Sequence, residues 1–300
     1  MRRLAAAAGV GTLALALLSA CGSGPSASPA HNTTGTTAAP TTMTPGDHVV
    51  DVDVGGRSRS FILHVPPQPA TAHRPLILVF HGAEDSDAST VQGTDFEQVA
   101  DTHGEVVAFL QGYEDTWNEG AGHTPAEQAH VNDVAFTAAA ITKIETLVTF
   151  DHQRVVAAGF SNGALMVEDL GCRLAGELSL IVPVEGELPV SVSATCDPAR
   201  PISVYEIHAT ADGVIPYGGG PFHGVGGGTT VLSAPASAAR WAALDGCAPP
   251  PTRSSPSSGV RLSVYTGCSG RVTVQLRTIE GGAHQWTSDI GLLVTQALAR

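Results

Sequence analysis

Residues 154–168, Arg154-Val155-Val156-Ala157-Ala158-Gly159-Phe160-Ser161-Asn162-Gly163-Ala164-Leu165-Met166-Val167-Glu168, decide how the chain is read. The run 154–158, apolar from Val155 onward, predicts a strand, a G-x-S-x-G turn follows at 159–163, and 164–168 open a helix. The pattern is weak on its own in a chain with 34 glycines. Its setting gives it meaning: glycines on either side of Ser161 relieve crowding, so the serine can take a strained backbone conformation that aims its hydroxyl outward from a sheet. Ser161 is the candidate nucleophile.

Outward from this turn, short continuous apolar runs at 76–80, 106–110, 178–184 and 202–207 read as strands buried on both faces. Helical patterns separate them. Val134, Ile141, Ile144 and Val148 recur at helical spacing behind Asn132, a suitable N-cap, and Phe96, Val99 and Ala100 do so before Gly104. Val50, Val52 and Val54 alternate before Gly55-Gly56, and Phe61, Leu63 and Val65 alternate after it, which predicts an antiparallel hairpin. Strands alternating with helices imply right-handed crossovers and a mostly parallel sheet with helices on both faces, an α/β fold.

A serine hydroxyl needs a base in hydrogen-bond reach and a carboxylate to hold that base in the right tautomer. Asp212, just after the strand 202–207, and His284, after a strand expected at 272–277, stand downstream of Ser161 in the order acid then histidine. Asp245, a helix-end residue beside Gly246, and His223, in a glycine-rich loop, are the weaker alternatives. A developing oxyanion needs two fixed N–H donors. Asn162 offers one at the start of the helix, and Ala83, in His81-Gly82-Ala83-Glu84 after the strand 76–80, offers the other; the His81 side chain reads as a brace. Gly218-Gly219-Gly220 and Gly226-Gly227-Gly228 lack a following G-K-[ST], so they read as a flexible rim and not as a phosphate cradle.

Composition narrows the function classes. The net charge is −13, and Lys143 is the one lysine among fifteen basic residues, so no basic stripe exists to neutralise phosphates and nucleic acid is not an expected partner. Arg2 and Arg3 followed by the apolar stretch 4–18 read as a signal peptide over 1–20. Leu18-Ser19-Ala20-Cys21 resembles a bacterial lipobox, which makes Cys21 a lipidation site and the N-terminal lipid the only expected membrane contact. Residues 21–46, rich in Ser, Thr, Pro, Ala and Gly, read as a tether, leaving 47–300 as one domain. Past residue 20 no apolar run reaches the roughly 18 residues that span a bilayer. Cys172, Cys196, Cys247 and Cys268 remain, an even number in an exported chain, and favour two disulfides. Paired locally as 172–196 and 247–268, each closes a loop of roughly 20–25 residues, worth about 3 kcal/mol in the chain-entropy model. No C-x-x-C, H-x-x-x-H or H-E-x-x-H spacing occurs, so neither a metal nor a cofactor is expected.

Taken together, the segments 75–82, Trp117-Asn118, Asp133-Val134-Ala135-Phe136, 159–166, His208-Ala209-Thr210-Ala211-Asp212, 241–247 and Gly281-Gly282-Ala283-His284-Gln285-Trp286 resemble the polyhydroxybutyrate depolymerase and feruloyl esterase family of α/β-hydrolases. The resemblance runs from about Phe61 to the C-terminus. It implies an α/β-hydrolase fold, hydrolysis of carboxylic esters on small-molecule or polymeric substrates, Ser161, Asp212 and His284 as the triad, and the local disulfide pairing. Two departures bear on substrate range: Ala83-Glu84-Asp85 stands where the family has a Cys after His-Gly, and Trp286-Thr287-Ser288 where it has Trp-Pro-Gly. Glu84, Asp85 and Asp87 are expected to form an acidic rim that disfavours anionic esters. An acyltransferase or serine peptidase would use the same triad, and a non-catalytic envelope lipoprotein that binds a ligand is the reading from another class.

Overall fold

The computed structural model describes residues 43–71, 73–122 and 124–299. The expected signal peptide, Cys21 and most of the tether lie outside the described residues. The first strand opens at Gly46, one residue before the boundary read from composition, and Met43 already packs against the core.

In chain order the elements are β1 (Gly46–Val54), β2 (Arg57–Val65), β3 (Leu76–Phe80), α1 (Asp87–Gly93), α2 (Phe96–His103), β4 (Val106–Leu110), α3 (Pro125–Gln128), α4 (Asp133–Glu145), β5 (Val155–Phe160), α5 (Asn162–Arg173), β6 (Leu180–Val184), α6 (Val190–Ser193), β7 (Ser203–Ala209), β8 (Gly220–Gly224), β9 (Gly227–Val231), α7 (Ala234–Leu244), β10 (Ala248–Ser257), β11 (Val260–Thr266), β12 (Val274–Ile279) and α8 (Ile290–Leu298). Among the described residues, ten strands form one sheet in the order β1-β2-β4-β3-β5-β6-β7-β12-β11-β10. The six from β4 to β12 run parallel, and antiparallel hairpins flank them at both ends.

The sheet is covered on both sides because its central strands are apolar on both faces. On β3, Leu76, Leu78 and Phe80 face one core with Phe136 and Ile144 of α4, Met166 and Leu170 of α5 and Trp241 of α7. The alternate residues Ile77 and Val79 face a second core with Phe96 of α2 and Ile290 and Val294 of α8. Asn132 caps α4 by accepting the Ala135 N–H at 2.9 Å, as its position before the helical run predicts. From β3 the chain turns to one side to build β4 and then returns to the other to build β5. The carboxyl ends of β3 and β5 therefore flank a topological switch point, where open α/β sheets form their crevices.

Two expectations are corrected, and one strand was not anticipated. The strand before His284 is Val274–Ile279, shifted two residues from the expected 272–277. The glycine-rich rim is ordered as the antiparallel pair β8–β9, with Phe222 buried beneath it against Leu165 and Ile215. The edge strand β10 went unread because Pro249, Pro250 and Pro251 interrupt any alternation and the strand is mostly exposed, which an edge position tolerates. Both local disulfides, Cys172–Cys196 and Cys247–Cys268, are present.

One core feature makes stability depend on pH. Glu168 of α5 and Glu206 of β7 are buried together; Glu168 accepts the Trp241 Nε1–H at 2.6 Å and the Ser237 hydroxyl at 3.4 Å. Burial pushes Glu168 up to about 8 and Glu206 well above the usual carboxylate range. As pH rises from the unfolded value of 4.5 toward 8, the native pair keeps protons that the unfolded chain has released, so stability falls across that window. Glu206→Gln keeps a donor of similar shape and removes one of these protons. Its denaturant-derived stability is expected to gain about 1–3 kcal/mol on wild type between pH 5 and 8; parallel stability curves would refute the assignment.

Candidate active site

Ser161 sits between β5 and α5 with φ 55° and ψ −119°, the strained backbone that its setting predicted. The flanking glycines are required by contact. A Cβ at Gly159 would lie 2.2 Å from the Gly163 carbonyl oxygen, and one at Gly163 would lie 2.3 Å from the Phe80 and 2.5 Å from the His81 carbonyl oxygens. The elbow is thus pressed onto the end of β3.

Three distant segments converge here. His284 Nε2 lies 2.9 Å from Ser161 Oγ, and its Nδ1 lies 2.7 Å from Asp212 Oδ2. The other oxygen of Asp212 accepts the Val214 and Ile215 N–H groups at 2.7 and 2.9 Å, which fixes the carboxylate's orientation. Burial alone would raise the Asp212 pKa, but hydrogen bonds from His208, His284 and Val214 outweigh it and hold the carboxyl well below its usual range. Phe160 lies against the His284 ring at 4.8 Å between centroids and stacks on Trp286 at 5.3 Å, so aromatic contacts seat the imidazole.

Ala83 and Asn162, the two residues expected to supply oxyanion donors, line the same cavity as Ser161. Asn162 has a second task, since its Oδ1 accepts the Trp117 N–H at 2.8 Å and ties the elbow to the loop after β4. His81 is a brace: fully buried, it donates from Nδ1 to the Gly82 carbonyl at 2.7 Å and accepts the Gly112 N–H on Nε2 at 2.9 Å. Those contacts fix a neutral tautomer, and burial lowers its pKa accordingly. Neither weaker alternative lies on this line of contacts. Asp245 is buried beyond the end of α7 and accepts the Ile202 N–H at 3.3 Å, while His223 lies on β8 in the cavity wall.

The cavity measures about 460 Å³. Phe160, Leu165, Val214, Ile215, Phe222 and Val225 supply its apolar wall, and Glu84, Asp85 and Glu119 its acidic one; among the described residues no lysine or arginine lines it. Asp87 is not part of this lining. It opens α1, with its N–H on Gln111 Oε1 and its own carboxylate on the Ala88 N–H, so the acidic rim is Glu84 and Asp85. Sequence reading did not single out Glu119. It is fully buried beside Asn162, and burial pushes its carboxyl up to about 8, so it faces the cavity as a neutral acid. Its place beside the Trp117-Asn118 motif was the one available signal.

Among the described residues two groups bring histidine and carboxylate atoms within 4.8 Å of one another, Asp47 with His64 and Glu97, and Glu185 with His208 and Asp212. In each group both ring nitrogens of the histidine already face acceptors. That is the pattern of an imidazolium donating on two sides, whereas a metal ligand offers a lone pair.

No protein-family model matches the chain. It is 32% identical over 217 residues to feruloyl esterase B of Piromyces equi, a match covering 70% of this chain and 39% of that protein. It is 24% identical over 162 residues to the bifunctional acetylxylan esterase/xylanase XynS20E of Neocallimastix patriciarum, covering 54% of this chain and 22% of that one. The chain thus spans well under half the length of these two relatives. Among solved structures, an acetyl xylan esterase from Aspergillus awamori superposes with a TM-score of 0.59 at 12% identity, over 84% of this chain and 99% of that one. Est1E from Butyrivibrio proteoclasticus superposes with a TM-score of 0.50 at 15% identity, over 84% and 96%. The fold is that of the α/β-hydrolases. Within that class its sequence is feruloyl esterase-like.

Proposed function

We propose that the chain is an exported serine esterase that hydrolyses carboxylic esters of short-chain acyl, hydroxyalkanoate or feruloyl type. The observation that carries this reading is the unbroken line from Ser161 Oγ to His284 Nε2 at 2.9 Å and from His284 Nδ1 to Asp212 at 2.7 Å, at an elbow that opens into a cavity. A binding protein has no use for a strained serine hydrogen-bonded to a histidine–carboxylate pair. The volume lies within the roughly 300–1,000 Å³ of small-molecule sites, and the apolar wall suits an acyl chain or aromatic ring.

In the proposed cycle Ser161 Oγ attacks the ester carbonyl carbon while His284 Nε2 takes its proton and Asp212 stabilises the resulting imidazolium. The tetrahedral oxyanion is met by the N–H groups of Ala83 and Asn162, each such donor being worth about 3–4 kcal/mol. Collapse breaks the bond to the alcohol oxygen, which leaves with the proton from His284. Water, giving its proton to the same nitrogen, then attacks the acyl-enzyme and releases the acid and free Ser161. Export is supported by the two disulfides, which persist in oxidising compartments, and by the N-terminal reading, in which lipidated Cys21 anchors the domain to the cell envelope.

Initial rates on p-nitrophenyl acetate, butyrate and octanoate and on methyl ferulate test the activity and rank the acyl pocket. Absence of turnover on all four would overturn it. Glu84 and Asp85 at the mouth, with no lysine or arginine among the described residues lining the cavity, are expected to disfavour esters that carry a carboxylate. Glu84→Gln should raise turnover of an anionic ester relative to its neutral analogue by about threefold, a modest effect because a charge at a solvated mouth is screened. An unchanged ratio removes the acidic mouth from the account of specificity.

A further inference from the structure

Asp212 is held by two imidazoles. His284 reaches its Oδ2 from the cavity side at 2.7 Å, and His208 Nε2 approaches the same oxygen from within the protein at 3.2 Å. His208 lies on β7 with its side chain 2% exposed. Its Nε2 also donates to the Ile215 carbonyl at 3.0 Å and stands 3.4 Å from Glu185 Oε2, while its Nδ1 lies 2.5 Å from Glu187 Oε1. Glu185 and Glu187 come from the segment after β6 and are as buried as the histidine.

The ring therefore has carboxyl oxygens on both sides. A neutral imidazole would point a lone pair at a carboxylate on one side, whereas an imidazolium satisfies both. The remaining groups around it are the Tyr217 ring, edge-on at 5.8 Å, Glu206 two residues earlier on β7, and Glu168 behind Glu206 on α5. None of them is basic.

We propose that His208 is a positioning residue of the triad: a buried imidazolium, balanced by Glu187, that pins Asp212 from behind and draws part of its negative charge away from His284. This inference rests on the serine-esterase reading. Burial alone would lower the His208 pKa, but hydrogen bonds to Asp212 and Glu187 and the charges of Glu187 and Glu185 push it up to about 10. Burial also raises Glu187 to about 7 and Glu185 to about 8, so in this cluster His208 gives up its proton last and is balanced by Glu187 on the alkaline side. The His208 charge competes with the imidazolium formed on His284 during the reaction for the same Asp212 oxygen, a competition that a pH–rate profile reads.

His208→Gln keeps an N–H donor toward Asp212 and removes the charge. The acidic limb of its kcat/KM profile is expected to move up by about one pH unit, the size of a single charge acting across one intervening residue at an effective dielectric near 20. A loss of the same size at every pH, or no change, would overturn the proposal, because a merely structural role does not move the limb. A second measurement does not depend on the variant folding. In ¹⁵N-histidine spectra of the protein carrying His64→Gln, which removes the other carboxylate-flanked histidine, one ring should keep both nitrogens protonated at pH 8.5. If every ring is neutral there, the imidazolium does not exist. Labelling of wild type by an organophosphorus probe separates the two levels: labelled protein with an unmoved limb sinks only the role of His208, whereas unlabelled and inactive protein sinks the esterase reading itself.

Discussion

Ser161→Ala is expected to lower kcat/KM for p-nitrophenyl butyrate by about 10⁴- to 10⁶-fold while leaving the protein folded. The size follows from the chemistry. Without the Ser161 hydroxyl no acyl-enzyme forms, and His284 has no oxygen at 2.9 Å to deprotonate. What remains is binding and the two backbone donors, which by themselves give roughly 10³- to 10⁴-fold over water. Stability is expected to stay within about 1 kcal/mol, since the hydroxyl holds no other hydrogen bond among the described residues and alanine meets the same strained φ of 55°. Circular dichroism and a denaturant curve beside the rate measurement separate lost chemistry from lost fold. A variant that keeps a tenth of the wild-type rate would show that Ser161 is not the nucleophile.

Gly163→Ala is expected to damage both stability and rate. The added Cβ would meet the Phe80 and His81 carbonyl oxygens at 2.3 and 2.5 Å, and backbone atoms at the end of a central strand cannot rotate aside. Relief requires α5 to lift away from β3, which opens the junction on which Trp117 is tied to Asn162 and separates Asn162 from Ala83. The expected cost is about 3 kcal/mol or more in unfolding free energy. The folded fraction should also lose about 100-fold in kcat, because a displacement of about 1 Å between oxyanion donors and nucleophile costs that much. Gly93→Ala is the matched control: nothing lies within 4 Å of its added Cβ, and it should behave as wild type. Equal stability and activity in Gly163→Ala would mean that the elbow is not packed as described.

The legible parts of this molecule are those with a local cause. β3 and β4 were readable to the residue because strands buried on both faces leave an unbroken apolar run, and α4 because Asn132 caps a helical repeat. Asp212 and His284 could be picked out because each follows a strand and their order after Ser161 is constrained. β10 takes its pairing from β11, and β8 from β9, so proline- and glycine-rich segments that look like loops become strands only through a neighbour. The buried acids were illegible for a related reason. Glu119, Glu185, Glu187 and Glu206 are charged letters that a sequence places in solvent, and only the packing of segments far apart in the chain shows them enclosed. His208 was quoted within a motif, yet its position behind Asp212 depends on the bend after β7 that returns Asp212 beneath it.

The central claim is that Ser161, activated by His284 and Asp212, attacks ester carbonyls. The most direct test is to treat the folded protein with a fluorophosphonate probe and locate the adduct by peptide mass spectrometry. One equivalent of label is expected on the peptide that contains Ser161, with ester hydrolysis lost in proportion to labelling. No adduct, or an adduct on another residue with Ser161 unmodified, would contradict it.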